Sequence, residues 1–429
     1  MVKLLENKVG PIINLKDYRQ FGLQVYDEIL SVAEKLQGKS IFHINATPQG
    51  GGVAELLKSQ VPFEKAVGLK SYWLSMANVP PSFFTVTKKI HNLLQGKPGL
   101  LNEEEKNLYF SVNQELAASL KDFCDQFPDG LAVVHDPQPL PLIQFIPKNF
   151  NAIFRLHLDV SVANLSVMDF LKSLIEKYKL VILSNEDYFI SLPWIEESKR
   201  KVIMPAIDPL SEKNQPMDIR AANAMLEKFN INPLKPLIAQ VSRFDAWKNP
   251  LGTIQAYYSA KKEIPALQLV LLGLLLAIDD PEAVTVFEKI KKHARGDPDI
   301  HLFADPAEFA EISNETFVNA IYTASDLIIQ NSVREGFGLT VTEAMWKNKP
   351  VIAGIAKGIL MQIEDGENGI LAATPEDIAK NIVKLIKDKI SREKLGRVAH
   401  ESVRQRFLLP RFILDNFKLY ASLKSKIWS

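Results

Sequence analysis

Residues 334–346 read REGFGLTVTEAMW and follow the apolar run DLIIQN at 326–331. A β-rich run, a glutamate, two glycines, a helical stretch and a second glutamate describe a strand that ends in a sharp turn and feeds a helix. Gly336 and Gly338 permit the turn, and the helix starts near Leu339. The first amides of a helix have no partner within it, so the main chain of Gly336, Phe337, Gly338, Leu339 and Thr340 is suited to cap a phosphate. Glu343 lies about one turn into that helix, where a carboxylate can accept from two vicinal hydroxyls, as on a ribose. Glu335, just before the turn, is placed to contact the hydroxyls of a sugar. The competing reading for both glutamates is simple pairing with the helix dipole.

Working outward, the same strand–turn–helix style repeats along the whole chain. Strand candidates in the first half are 39–45, 70–75, 131–136, 151–157 and 179–185, and in the second half 236–242, 267–273, 299–304, 326–331 and 349–354. Several are continuous apolar runs, as in strands buried on both faces of a parallel sheet. Helical patterns lie between them at 53–67, 103–123, 250–263, 282–294, 339–347, 375–387 and 391–406; within 103–123, Leu108, Val112, Leu116 and Leu120 recur every fourth residue. The fold class is therefore α/β, two Rossmann-like doubly wound domains facing across a cleft. The stretch MPAIDPLSEKNQPMD (204–218) reads as a linker. The expected division is 1–210, 211–408 and a C-terminal helix at 409–429 that crosses back to the first domain.

At 429 residues, 47% of them hydrophobic, the chain can build two full cores. Lys plus Arg number 51 against 50 Asp plus Glu, so the basic excess of a nucleic-acid binder is missing. A single cysteine, Cys124, allows no intrachain disulfide and leans toward a reducing compartment. The first fifteen residues carry Glu6, Lys8 and Pro11 where a signal peptide needs an apolar run, and the expected location is cytoplasmic. The apolar segment 267–278 is about half a membrane span and ends in Asp279-Asp280, so it reads as a buried strand rather than an insertion.

Other candidate groups also fall at strand ends, where ligands of such sheets bind. Gly50, Gly51 and Gly52 stand between a strand and a helix, removing side chains where backbone approaches an anion; a plain tight turn is the alternative. Arg243 and Lys248 follow strand 236–242, a planar fork and a point charge suited to a diphosphate, or else a solvated surface pair. Asp136 and Gln138 end one strand of the first half and His157 and Asp159 another. His135 reads as the weaker neighbour, because alternation turns it away from the side used by Asp136. Asp297 and Asp299 have the spacing of a metal-binding pair but precede a strand inside a turn, and no Cys/His cluster has zinc spacing; no metal site is expected. Trp247 and Trp346 read as packing residues.

These residues resemble the retaining glycosyltransferases of GT-B fold, and most closely the trehalose glycosyltransferring synthases and the related trehalose phosphorylases. The phrases that carry the resemblance are NATPQGGGVAELL, FFTVTKKIHNLLQG, VHDPQP, RLHLDVS, MPAIDPLSEKN, VSRFDAWK and REGFGLTVTEAMW, spread over roughly 40–410. The resemblance implies that Gly51 and Gly52 lie near the donor phosphates, and that Arg243 and Lys248 neutralise the diphosphate. Glu343 would hold the ribose, Glu335 would contact the donor sugar, and His157 would sit beside the reacting sugar. Asp136, Gln138 and Asp159 would lie near donor or acceptor hydroxyls. It implies glucose transfer from UDP- or ADP-glucose to glucose, giving trehalose with retention. The nucleotide-sugar would serve as co-substrate, without prosthetic group or essential metal. Partners would be small molecules, with no nucleic acid and no stable membrane insertion, and the chain is compatible with a homodimer.

Two departures from the pattern bear on activity. The loop GIAKGILMQIEDGENG (354–369) carries Lys357 beside a single Gly358, where related enzymes carry a Gly-Gly pair. The stretch LLGLLLAIDDPEA (271–283) is more apolar than the family leads one to expect. The alternatives left open are a trehalose phosphorylase, a transferase with another acceptor, an inactive sugar-nucleotide binder, and a membrane-surface enzyme acting through the mildly basic helical stretch 86–101.

Overall fold

Continuous apolar runs bounded by turn residues become buried strands here, and their connections are helices. The structure is a computed structural model that describes residues 1–10, 13–127, 130–275, 280, 282–309 and 311–423. The first sheet contains β1 (Lys3–Glu6), β2 (Ser40–Asn45), β3 (Lys70–Ala77), β4 (Leu131–His135), β5 (Asn151–Arg155), β6 (Leu180–Leu183) and β7 (Arg200–Val202). Its order is β1-β3-β2-β4-β5-β6-β7, parallel except for β1 at the edge. The second contains β8 (Leu237–Val241), β9 (Gln268–Leu272), β10 (Ile300–Phe303), β11 (Leu327–Gln330), β12 (Val351–Ala353) and β13 (Ile370–Leu371). Its order is β10-β9-β8-β11-β12-β13, and every pairing is parallel.

All ten anticipated strands are present. Three more, β1, β7 and β13, escaped the reading of the sequence because they are edge strands of two to four residues; in β1 only Leu4 is buried. The helix Glu103–Gln126 starts in a reciprocal cap between Asn102 and Glu105 and buries Val112, Leu116 and Leu120.

The chain divides into two compact units, one of residues 1–206, 277–281 and 409–429, the other of 207–276 and 282–408. The first boundary lies at 206/207 rather than near 210, because Ile207 donates its N–H to Phe407 O (2.9 Å) and bridges Leu408. In the first unit the helix Leu409–Ser422 packs on the helix Leu23–Glu34. Arg155, buried at the end of β5, fastens it: one guanidinium nitrogen donates to Asn416 Oδ1 (3.0 Å), another to Ile203 O (3.2 Å), and the plane lies over the Phe412 ring. Residues 424–429 of the expected C-terminal helix lie outside the described residues, as do 276–279 and 281 of the unusually apolar stretch.

Asp280 of that stretch makes a buried ion pair with Lys88 at 2.9 Å. Lys88 belongs to the helix Pro81–Leu94, whose Phe83, Phe84, Val86, Ile90, Leu93 and Leu94 are also buried. The apolar side of the segment 86–101 thus faces the core of its own unit, which leaves it little to offer a membrane surface. Among the described residues no helix is long and apolar enough to cross a membrane.

Strand order fixes where ligands can enter. In the first sheet β2 sends its connection to β3 on one side and has β4 on the other; in the second, β8 stands likewise between β9 and β11. These are topological switch points, at whose carboxyl ends a crevice opens. The loops after β2, β4, β8 and β11 carry the triple glycine, Asp136, the Arg243–Lys248 segment and the REGFG turn.

Candidate active site

In the second unit β8 delivers a short helical turn, Ala246–Lys248, capped by Asp245 Oδ1, which accepts from Trp247 N at 2.9 Å. The turn is held from beneath: Gln240 donates through Nε2 to Lys248 O (2.9 Å), and Val333 N donates to Trp247 O (2.8 Å). That last bond ties the loop after β8 to the loop after β11. Lys248 reaches across to form an ion pair with Glu335, whose Oε2 also accepts from Ser332 Oγ at 3.2 Å. Arg243 is more exposed, with the Asp245 carboxylate 3.9 Å from its guanidinium.

The turn Glu335–Gly338 is shaped by sterics. Gly338 has φ 93°, the left-handed region that a side chain disfavours, and it precedes the helix Leu339–Trp346. Gln362 donates through Nε2 to Phe337 O at 2.5 Å and accepts from Thr342 Oγ1 at 2.6 Å, bracing both sides of the turn. The Phe337 side chain turns inward against Phe407 (centroids 5.5 Å, 66°), so only its main chain is left to contribute to a donor site. Gly358 donates its N–H to Glu335 O at 3.0 Å, and a Cβ there would lie 2.5 Å from that oxygen and 2.6 Å from Phe337 N. The glycine beside Lys357 is thus the one that lets two backbones touch. Lys357 beside it opens the short helix Lys357–Leu360.

Glu343 is buried and pairs with Lys213 at 2.6 Å, while Tyr322 donates its hydroxyl to Glu343 Oε2 at 3.3 Å. Burial, reinforced by the Glu343 charge, holds the Tyr322 phenol well above its usual range, so it remains a donor. Sequence reading missed Lys213: it sits in the stretch read as a linker, and nothing in its spacing points to a glutamate 130 positions later. The helix dipole is not the only positive neighbour of either glutamate, since each has a lysine partner.

In the first unit Gly50 has φ 86° and Gly51 is the extended residue before the helix Gly52–Ala66. A Cβ at Gly51 would meet nothing within 4 Å, so the protein's own packing does not require glycine there. Asp136 adopts the left-handed φ of 63° and accepts at Oδ1 from His157 N (2.8 Å), fixing the backbone where His157 begins. Asp159 is fully buried and its Oδ1 accepts from Ser161 N (3.0 Å) and Oγ (2.7 Å), a turn-forming role. Gln138 is buried with its main-chain O held by Asn113 (3.1 Å).

His135, the weaker neighbour in the sequence, touches His157. It is buried, and its Nδ1 lies 2.9 Å from His157 Nε2, with the two rings stacked at 5.2 Å and 15°. On its other side Nε2 lies 3.2 Å from His43 Nδ1, and His43 Nε2 lies 3.0 Å from Glu64 Oε2. Burial, and then the neighbouring His157, His43 and Arg155, hold His135 well below the ordinary histidine range; burial and Arg155 do the same for His157.

Elsewhere Asp297 and Asp299 are both taken by Lys261 Nζ at 2.9 Å, and Trp346 stacks on His400 at 4.3 Å. Among the described residues no group of three or more His, Cys, Asp or Glu side chains is arranged to hold a metal ion.

Residues 43–190 match the family described as "Trehalose synthase, N-terminal domain", and residues 222–402 match "Glycosyl transferases group 1". The chain is similar to the trehalose synthase of Pyrococcus horikoshii, with 40% identity over 92% of this chain and 93% of that one. It is more distantly similar to the trehalose phosphorylase of Pleurotus pulmonarius, with 28% identity over 92% of this chain and 59% of that one. Among solved structures, the α,α-trehalose-phosphate synthase (UDP-forming) of Burkholderia vietnamiensis superimposes with a TM-score of 0.69 over 91% of this chain and 98% of that one. At 13% identity that likeness speaks to the fold, the two Rossmann-like units of GT-B transferases.

Proposed function

This chain belongs to the family of the trehalose synthases within the group 1 glycosyltransferases, and from that premise we propose that it transfers glucose from a nucleoside-diphosphate donor to glucose, forming trehalose with retention. The observation that carries the donor reading is the Lys248–Glu335 pair, locked between the loops after β8 and β11. An ammonium has three donors and Glu335 uses one; the remaining two suit the oxygens of a diphosphate. Glu343, held by Lys213 and Tyr322, is in this reading the carboxylate that accepts from the hydroxyls of a ribose.

Departure of the nucleoside diphosphate builds negative charge on phosphate oxygens. Lys248, Arg243 and the amides that open the helix Leu339–Trp346 supply fixed positive potential there, and this needs no metal. In the same reading the leaving phosphate takes the acceptor's proton, so no enzyme nucleophile is required. Asp136 and His157, held at the switch point of the first sheet, serve the sugar side.

The decisive assay mixes UDP- or ADP-glucose with glucose and follows trehalose and released nucleotide, with and without EDTA. The expected result is stoichiometric trehalose and nucleoside diphosphate, unchanged by the chelator. Turnover of maltose alone, or of no donor with glucose, would overturn the proposal. The similarity to a phosphorylase favours one second reading, phosphorolysis of trehalose to glucose 1-phosphate; dependence on inorganic phosphate would establish it instead.

A further inference from the structure

The register of the first sheet builds a polar diagonal through its interior. His43 on β2 is paired with Val133 on β4, so His135, two residues on, shares its face. His135 is paired with Arg155 on β5, so His157, again two residues on, continues the same line. Ser71 on β3 begins the line from the other side, since its neighbour two residues on, Trp73, is paired with His43. Glu64 reaches the diagonal from the helix Gly52–Ala66. The result is a chain of contacts, Glu64 Oε2–His43 Nε2 (3.0 Å), His43 Nδ1–His135 Nε2 (3.2 Å) and His135 Nδ1–His157 Nε2 (2.9 Å). Glu64 and His43 are fully buried and His135 nearly so.

Such a chain has a direction. Each nitrogen–nitrogen contact needs one N–H and one lone pair, and a neutral imidazole has one of each. At the origin, Gln60 donates to Glu64 Oε1 (2.8 Å) and Ser71 donates to Oε2 (2.5 Å). With those donors converging on it, the carboxylate acts as acceptor, and His43 donates through Nε2. His43 Nδ1 then accepts from His135 Nε2–H, and His135 Nδ1 accepts from His157 Nε2–H.

We propose that Glu64 acts through His43 and His135 to fix the tautomer of His157, directing its Nε2–H inward and leaving its Nδ1 lone pair as the group offered to a sugar hydroxyl. Glu64, His43 and His135 are positioning residues in this scheme. The inference rests on the sugar-facing reading of His157 given above, but the tautomer is a property of the protein alone. The other charged or titratable groups around the chain are Arg155 and Asp136 beside His157, and Tyr420 of the C-terminal helix, which receives a 3.4 Å hydrogen bond from Gln60. Suppressed basicity at His135 and His157 agrees with neutral rings.

The test is long-range proton–nitrogen correlation NMR on the full chain labelled with 15N-histidine, without substrate, the His157 signals being assigned by their loss in His157→Gln. The wild type is expected to show a pyridine-type Nδ1 and a pyrrole-type Nε2 for His157, unchanged between about pH 6 and 8. A pyrrole-type Nδ1, or titration at the ordinary position, in the wild type would overturn the proposal. In Glu64→Gln the amide keeps its oxygen toward Gln60 and turns N–H toward His43, so every donor and acceptor reverses and His157 should switch to the Nδ1–H form. An unchanged His157 pattern there sinks the role of Glu64. Kinetically, Glu64→Gln should lower kcat by on the order of tenfold, as loss of a partner that orients a working histidine does, while the donor KM stays put. An inactive wild type with the expected nitrogen pattern would instead count against the transferase reading and leave the chain standing.

Discussion

Lys248 and Gly358 show how single positions set the donor side. In Lys248→Ala the methyl group offers no charge to a departing diphosphate and takes the ammonium partner away from Glu335. Turnover should fall by about a hundredfold or more, the scale of losing one preorganised charge-stabilising contact. Initial rates with UDP-glucose check this, and near-normal activity would move the diphosphate elsewhere. Gly358→Ala tests packing rather than charge. Its Cβ has no room against Glu335 O and Phe337 N, both of them backbone atoms that cannot swing aside. A cost of about 1–3 kcal/mol is expected in denaturant unfolding. A lost grip on UDP should accompany it, because the Glu335–Gly338 turn must shift. A fully stable variant with normal UDP affinity would refute this account of the loop.

At the scale of elements, the strands were plain in the sequence because both faces are buried and the apolar runs are continuous, as in β4 and β9. The donor-side candidates could be singled out for a related reason: Arg243, Lys248 and Glu335 follow such runs within seven residues, and Glu343 stands on the helix that comes next. Lys213, Glu64 and His43 were not, because what gives them a role is strand register and chain crossing rather than spacing. The contact of His135 with His157 was hidden for the same cause: alternation separates His135 from Asp136, and it is the neighbouring strand that brings His157 to its face. Holding the His135 and His157 rings neutral has a consequence for pH. Their folded affinities for protons lie below the unfolded value of about 6.5, so the unfolded chain binds more protons as pH falls past that point. The stability they contribute is complete above about pH 6.5 and is lost below it, by up to about 1.4 kcal/mol per pH unit for each histidine. Denaturant unfolding at pH 7 and 5 should show the loss, and His135→Gln should flatten the slope. The C-terminal helix makes a second element-scale case. Asn416→Ala removes the acceptor of a buried guanidinium, and the first unit should lose about 1–3 kcal/mol.

At the scale of the whole molecule, two units with separate cores suggest that unfolding need not be a single event. The chain's path interleaves them: residues 1–206, 277–281 and 409–429 make one unit, and the second unit, 207–276 and 282–408, falls between these parts in the sequence. The candidate diphosphate and ribose groups, Arg243, Lys248, Glu335 and Glu343, all belong to the second unit. A ligand that binds one folded unit raises the stability of that unit by mass action, by about 2.7 kcal/mol at a hundred times its Kd. Calorimetry of the full chain should therefore resolve two transitions. UDP should raise only the one that Gly358→Ala lowers, whereas Asn416→Ala should lower the other and leave the UDP shift intact. Equal shifts of both transitions by UDP, or a UDP shift that survives Lys248→Ala undiminished, would show that the nucleotide is not held where the second sheet's switch point puts it.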